Sequence, residues 1–159
     1  MPELPEVETV RLQLLRKVKG KVIESVEVFH SKSVNHDETI EDKLRGKAVT
    51  NIDRVGKLLI FSFAGEGDLF LLAHLKMTGQ FFYVDNDGDI VGGGHSMSES
   101  DGRDFPHKHS RVAFHFTDHT SLYFNDMRLF GYAKLATKAE VETARGRFGP
   151  EPIAADFDC

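Results

Sequence analysis

Eight short runs rich in β-branched and aromatic residues, at 22–29, 48–54, 58–63, 69–75, 80–84, 111–117, 121–125 and 130–135, recur along the chain after residue 20. Several are separated by turn chemistry alone: Gly65 to Asp68, Asp87-Gly88 and Asp118-His119. Such separators are too short to hold the crossover helix that a parallel strand pair requires, so the strands must return antiparallel. The pattern predicts an α+β fold that is mainly β, an antiparallel sandwich or barrel-like domain flanked by one helix at each end.

The two ends carry helical signals. Val7, Val10, Leu14 and Val18 recur at helical spacing within residues 4–20 and predict one buried stripe. Pro5 suits a first helical turn, Glu6 and Glu8 favour the positive end of the helix dipole, and Arg16, Lys17 and Lys19 the negative end, with Gly20 able to stop the helix. Thr137-Lys138-Ala139-Glu140 has capping-box spacing and predicts a last helix to about residue 145. Gly149-Pro150-Glu151-Pro152 cannot continue it. One domain is therefore expected over 1–148 and the start of a linker over 149–159. Ending at Cys159 without a second core, the sequence is expected to be a piece of something longer. Residues 85–110, with Gly92-Gly93-Gly94 and many Ser and Asp, lack periodicity and predict a weakly ordered excursion.

Composition narrows the classes of function. No run approaches the roughly 18 apolar residues of a membrane helix, and the charged start lacks the apolar stretch of a secretory signal. A cytosolic monomer away from any membrane is expected. The only cysteine, Cys159, allows no internal disulfide and no cysteine-based zinc site within these 159 residues. Twenty Lys plus Arg against 25 Asp plus Glu give a net charge of −5, which weighs against nucleic-acid binding. Residues 85–104, however, hold six acids (Asp85, Asp87, Asp89, Glu99, Asp101, Asp104) and one base (Arg103), a net of −5 that accounts for the whole. The neutral remainder can still carry a local basic face.

The start, Met1-Pro2-Glu3-Leu4-Pro5-Glu6-Val7-Glu8-Thr9-Val10, is the most specific feature. Removal of Met1 would leave Pro2 as a terminal secondary amine. An α-amino group titrates near pH ~7.7–8.0, against about 10.4 for lysine, so a useful fraction is a free nucleophile at neutral pH. It can attack a carbon and form an iminium. Glu3 and Glu6 would flank it, one placed to donate a proton and the other to orient the turn. A generic Pro-Glu start would merely begin a helix well, but the ten-residue string is far more specific than that.

This opening is similar to that of the formamidopyrimidine-DNA glycosylases, the Fpg/MutM branch of the Fpg/Nei family. Four further strings agree in order: Gly56-Lys57-Leu58-Leu59, His74-Leu75-Lys76-Met77-Thr78-Gly79, Asn125-Asp126-Met127-Arg128-Leu129-Phe130-Gly131, and the linker Gly149-Pro150-Glu151-Pro152. The resemblance implies that 1–148 is an N-terminal catalytic β-sandwich domain of a bacterial, nucleoid-associated base-excision repair enzyme. Its partner would be double-stranded DNA containing an oxidised base or an abasic site. Pro2 would attack C1′ of a flipped nucleotide, expel an oxidised purine such as 8-oxoguanine or a formamidopyrimidine, and leave a Schiff base that undergoes β,δ-elimination. Glu3 would protonate the sugar ring oxygen, and Lys57 would serve the phosphate and proton-transfer network. His74 would contact a backbone phosphate, and His109 is a further expected DNA contact.

The same resemblance assigns Met77, Arg128 and Phe130 to the hole left by flipping. Their chemistry suits it: methionine adapts to an irregular gap, an aromatic can wedge between bases, and arginine can bond a widowed base edge. Singly they read as core filler, surface ion-pair partner and strand aromatic; their common place around tight turns favours the shared role. Asp126 is a candidate to orient Arg128.

Departures from the family are equally definite. Leu129 is apolar where some relatives carry a second basic residue, and the acidic stretch before His109 is longer than usual. The family's helix-two-turns-helix and four-cysteine zinc finger lie beyond the linker, so Zn2+ is expected only there and no cofactor within these residues. Asp85, Asp87 and Asp89 mimic a calcium loop, but Ile90 and Ser96 stand at its glycine and glutamate positions, so a solvated hairpin turn is predicted. His95, His107 and His109 have no spacing that specifies a metal. Two alternatives stay open: the sibling branch for oxidised pyrimidines, whose members usually begin Pro-Glu-Gly where this chain has Pro2-Glu3-Leu4, and a catalytically inert DNA-binding half-domain.

Overall fold

The computed structural model describes residues 4–65, 68–76, 79–87, 90–92, 109–126, 129 and 131–148. Helix α1 (Leu4–Val18) is followed by β1 (Ile23–Val28), a 3-10 turn (Ser31–Val34), a short α2 (Ile40–Leu44), β2 (Val49–Val55), β3 (Leu58–Phe63) and β4 (Phe70–His74). The chain continues through β5 (Gly79–Val84), β6 (Ile90–Gly92), β7 (Ser110–Phe116), β8 (Ser121–Asp126), β9 (Tyr132–Ala136) and α3 (Lys138–Phe148). The strands form two antiparallel open sheets, β1-β7-β8-β5-β6 and β2-β3-β4-β9, so the sandwich expectation holds and neither sheet closes as a barrel.

The stripe on α1 joins the core of the sandwich. Val7, Val10, Leu14 and Val18 are buried and join Ile52, Leu59 and Phe61 of one sheet and Phe81, Phe114 and Phe124 of the other in one continuous cluster. Phe81 lies at its centre, 5.9 Å from the Phe61 ring and 5.2 Å from that of Phe124. The apolar run of β3 follows from cover on both faces: Leu59 and Phe61 enter the main core, while Leu58 and Ile60 pack with Val141 of α3. Helix α3 begins in the predicted capping box, with Glu140 N–H donating to Thr137 Oγ1 at 3.2 Å and Thr137 N–H to Glu140 Oε1 at 2.8 Å. Asp68, from the β3–β4 turn, accepts the Lys138 N–H at 2.8 Å and so ties that helix end to the sheet.

An ion cluster fixes how α1 lies on the sheet. Glu8 receives Arg11 through both oxygens, at 3.0 and 2.6 Å, and Arg54 Nε of β2 at 2.8 Å. Arg11 also donates to the Ile52 carbonyl at 3.0 Å, and Arg54 to the Gly56 carbonyl at 2.9 Å. Hydrogen bonding from Arg11, opposed by partial burial and reinforced by Arg54, lowers the Glu8 pKa from near 4.5 to about 2.

Four elements depart from the sequence reading. The stretch after Asp85, expected to be structureless, contains β6, which pairs with β5 (Val84 opposite Ile90) across the predicted hairpin turn, where Asp87 N–H bonds Asp85 Oδ1 at 3.0 Å. Residues 93–108 of that excursion, and the linker 149–159, lie outside the described residues. Helix α2 and the 3-10 turn are too short for periodicity to reveal. Helix α1 ends at Val18, two residues before Gly20, which sits at φ +86° and bonds the Val49 carbonyl at 2.7 Å.

Two outcomes follow from this packing. Phe81→Ala should lower unfolding stability by about 3–5 kcal/mol in urea titration with an unchanged m-value. Glu8 has a folded pKa below its unfolded one, so its contribution is present above about pH 4.5 and is lost as pH falls towards 2. Glu8→Gln should therefore flatten the stability profile across that window, by a modest amount because the carboxylate is partly solvated.

Candidate nucleic-acid interface

Strand pairing alone brings the two central sequence strings together. β4 pairs with β9 in one sheet, and β5 with β8 in the other. The connections β4–β5 and β8–β9 both pass between these same neighbours, with His74 opposite Tyr132 and Gly79 opposite Asp126 at their ends. The described ends of the 74–79 and 125–131 strings are therefore brought together.

Each connection is closed by a glycine that tolerates no side chain. A β-carbon on Gly79 would stand 2.6 Å from the Leu75 carbonyl oxygen, which already accepts the Gly79 N–H at 2.8 Å. A β-carbon on Gly131 would stand 2.6 Å from the His74 carbonyl oxygen, so the second connection rests directly on the first. The fully buried Asp126 closes this second connection by accepting the Gly131 N–H through Oδ2 at 2.6 Å. Its own N–H bonds the His109 carbonyl at 2.9 Å, and its carbonyl receives Arg111 Nε at 2.8 Å. Arg111 can reach it because β7 slips register against β8 between Ser110 and Val112, a bulge that re-aims the side chain. Buried Ser110 and Asn125 are joined at 2.9 Å beside it. Two non-glycine residues in these connections are left-handed, Lys76 at φ +55° and Leu129 at φ +61°; such conformations cost energy and collect at functional sites.

Basic groups gather along the adjoining sheet end. The β2–β3 hairpin turns on Gly56, at φ +59°, and places Lys57 next to Leu58, which pairs with His74. His74 is half-buried and accepts the Lys76 N–H at Nδ1, at 3.1 Å. Burial, then the charges of Lys76 and Lys57, lower its pKa to about 4. Its ring centre lies 5.9 Å from that of Tyr132, over which Lys134 Nζ sits at 5.1 Å. Lys57, Lys76 and Lys134 thus give a chain of net charge −5 a local positive edge.

The cluster around Glu8 joins this edge to α1: Arg54 holds both Glu8 in the second turn of the helix and the Gly56 carbonyl beside Lys57. Glu6 is exposed on the first turn. Of the sequence candidates, Glu6, Lys57, His74 and His109 are thereby placed, and His109 is linked to the second connection through its carbonyl. Pro2, Glu3, Met77, Arg128 and Phe130 lie outside the described residues. Asp126, expected to orient Arg128, is seen to bond Gly131. Arg54, Lys76, Arg111 and Tyr132 were not singled out; only Glu8 and Arg11, three apart on a helix, carried a local signal of pairing. Among the described residues no three His, Cys, Asp or Glu side chains are grouped to hold a metal ion.

Comparison with known proteins gives this geometry a context. The family model of the formamidopyrimidine-DNA glycosylase N-terminal domain matches residues 1–133. Formamidopyrimidine-DNA glycosylase of Ligilactobacillus salivarius is 40% identical over 160 residues, covering 99% of this chain and 51% of the relative; that of Lactiplantibacillus plantarum is 40% identical over 157, covering 97% and 51%. The solved complex of Lactococcus lactis Fpg with DNA containing an abasic site superposes with a TM-score of 0.78 at 31% identity, covering 98% of this chain and 52% of that one. The complex of the same protein with DNA containing FAPY-dG gives 0.78, 31%, 98% and 53%. The chain spans about half the length of the curated relatives it matches. On the match over residues 1–133, this chain belongs to the formamidopyrimidine-DNA glycosylase family.

Proposed function

We propose that the chain is the N-terminal catalytic domain, 1–148, of a bifunctional DNA glycosylase and lyase that removes oxidised purines during base-excision repair. The observation that carries this reading is the close approach of Gly131 to the His74 carbonyl beside the Lys57 hairpin, with α1 clamped to that hairpin through Glu8 and Arg54. Helix α1 is in this way held beside a positive edge. Such an edge suits the phosphates that flank a flipped nucleotide.

In the proposed reaction Met1 is removed and the Pro2 nitrogen, as free amine, attacks C1′ of the damaged nucleotide. The bond from C1′ to the base breaks and its electron pair leaves with the base, which takes up a proton. Glu3 protonates the ring oxygen as the sugar opens, and the nitrogen lone pair forms the iminium. Loss of a proton from C2′ then expels the 3′ phosphate, and a second elimination expels the 5′ phosphate. Lys57 and His74 hold the backbone, Glu6 supports the helix start, and His109 adds a DNA contact. Met77, Arg128 and Phe130 fill the vacated stack. The start Pro2-Glu3-Leu4, where the sibling branch usually reads Pro-Glu-Gly, favours the branch that acts on purine lesions, and the partner is lesion-bearing duplex DNA bound by a monomer.

Borohydride reduction in the presence of abasic-site DNA, with the protein at its full natural length, should trap a covalent complex that Pro2→Gly abolishes. Glu3→Gln should slow its formation by about 10²–10⁴-fold, the usual value of a positioned general acid. An undiminished adduct in Pro2→Gly would overturn the assignment of the nucleophile. A lesion panel in which oxidised pyrimidines are cut faster than 8-oxoguanine would favour the sibling branch, and binding without any adduct would favour an inert binding domain.

A further inference from the structure

The hydrogen bond between Lys76 and His74 fixes more than a loop. A main-chain amide can only donate, so the ring nitrogen it meets, His74 Nδ1 at 3.1 Å, must present a lone pair. With Nδ1 as acceptor, the ring proton sits on Nε2; a second proton would set two N–H groups against each other. The direction of this N–H is set by the peptide plane between Lys76 and Leu75, and Leu75 is buried in the core. The register supports the same state of the ring. His74 ends β4 between Leu58 of β3 and Tyr132 of β9, in half-buried surroundings.

Among the described residues, the charged groups near His74 are mostly positive: Lys57 from the hairpin, Lys76 from its own connection, and Lys134 from β9 above Tyr132. The Asp126 carboxylate lies beyond Gly131 and is engaged by its N–H. Burial and the two nearest lysines accordingly hold the ring neutral well below neutral pH.

We propose that Lys76 is a positioning residue for His74: its main-chain N–H fixes the Nε2–H tautomer, so that His74 meets a DNA phosphate as a neutral directional donor and not as a cation. This rests on the reading of the site as DNA-binding. Attraction to the backbone as a whole then comes from the lysines, through release of counterions, while His74 sets register without adding to salt dependence. Its contact is insensitive to pH over the range in which a terminal amine near pH ~8 gains or loses its proton.

Nitrogen-15 NMR of the ring, on the DNA-free protein from pH 5.5 to 8, should give a pyrrole-type Nε2 and a pyridine-type Nδ1 with no titration. Protonated Nδ1, or a midpoint at the ordinary histidine value of about 6.5, would overturn the proposal. Lys76→Gly should keep the tautomer, because only the main chain is used; its loss in a variant with an otherwise intact amide spectrum would contradict the assignment. With a duplex carrying a stable abasic-site analogue, His74→Phe should weaken binding on the order of tenfold or more while keeping the slope of log affinity against log salt. Lys57→Ala should lower that slope by about one. A similar loss of slope in His74→Phe would show that the histidine binds as a cation. The NMR result stands apart from DNA altogether, so a failure of the DNA-binding reading would appear as absent duplex binding with the tautomer intact.

Discussion

The close approach of Gly131 to the His74 carbonyl, leaving no room for a β-carbon, is the contact on which the arrangement of the site depends. It exists because β4 pairs with β9 and β5 with β8, so that the two passages between the sheets must lie next to one another. Once they touch, neither can move alone. Asp126 anchors one from within the core, and the Gly79–Leu75 hydrogen bond closes the other. Residues placed on such connections inherit the rigidity of both sheets, which is what a site requires if it must hold DNA geometry without paying again to order its loops.

Electrostatics extends this rigid unit to the helix. Glu8, drawn between Arg11 and Arg54, links α1 to the hairpin that presents Lys57, while the buried stripe of Val7, Val10, Leu14 and Val18 supplies the bulk of the attachment. The division of labour is physical: apolar burial holds the helix against the core without fixing its rotation finely, while the bonds from Arg54 to Glu8 and from Arg11 to the Ile52 carbonyl are directional. An acidic chain acquires a positive edge in the same way, since what matters at short range is which side chains the fold collects and not the total charge.

Much of the architecture was legible locally. The helical stripe, the capping box at Thr137 and Glu140, and the strand Leu58–Phe63 each declare themselves within a few residues. What escaped was either too short for periodicity, as with α2 and Ile90–Gly92, or created by register between distant segments. The bulge that turns Arg111 towards Asp126 is of the second kind, as is the need for glycine at 131, which arises from a carbonyl at residue 74. Lys57 and His74 could be named from their strings, but not that burial and neighbouring lysines would keep the histidine neutral. The bond from the Gly131 N–H to Asp126 was likewise out of reach, because a buried carboxylate takes whichever N–H the fold brings to it.

The account turns on a covalent bond made at the front of the chain, and peptide mapping of the reduced protein–DNA adduct by mass spectrometry tests it most directly. The deoxyribose remnant should be carried on the terminal peptide, at the nitrogen of Pro2, with Met1 absent. A remnant attached to Lys57 or any other lysine, or an adduct formed by protein that retains Met1, would contradict it.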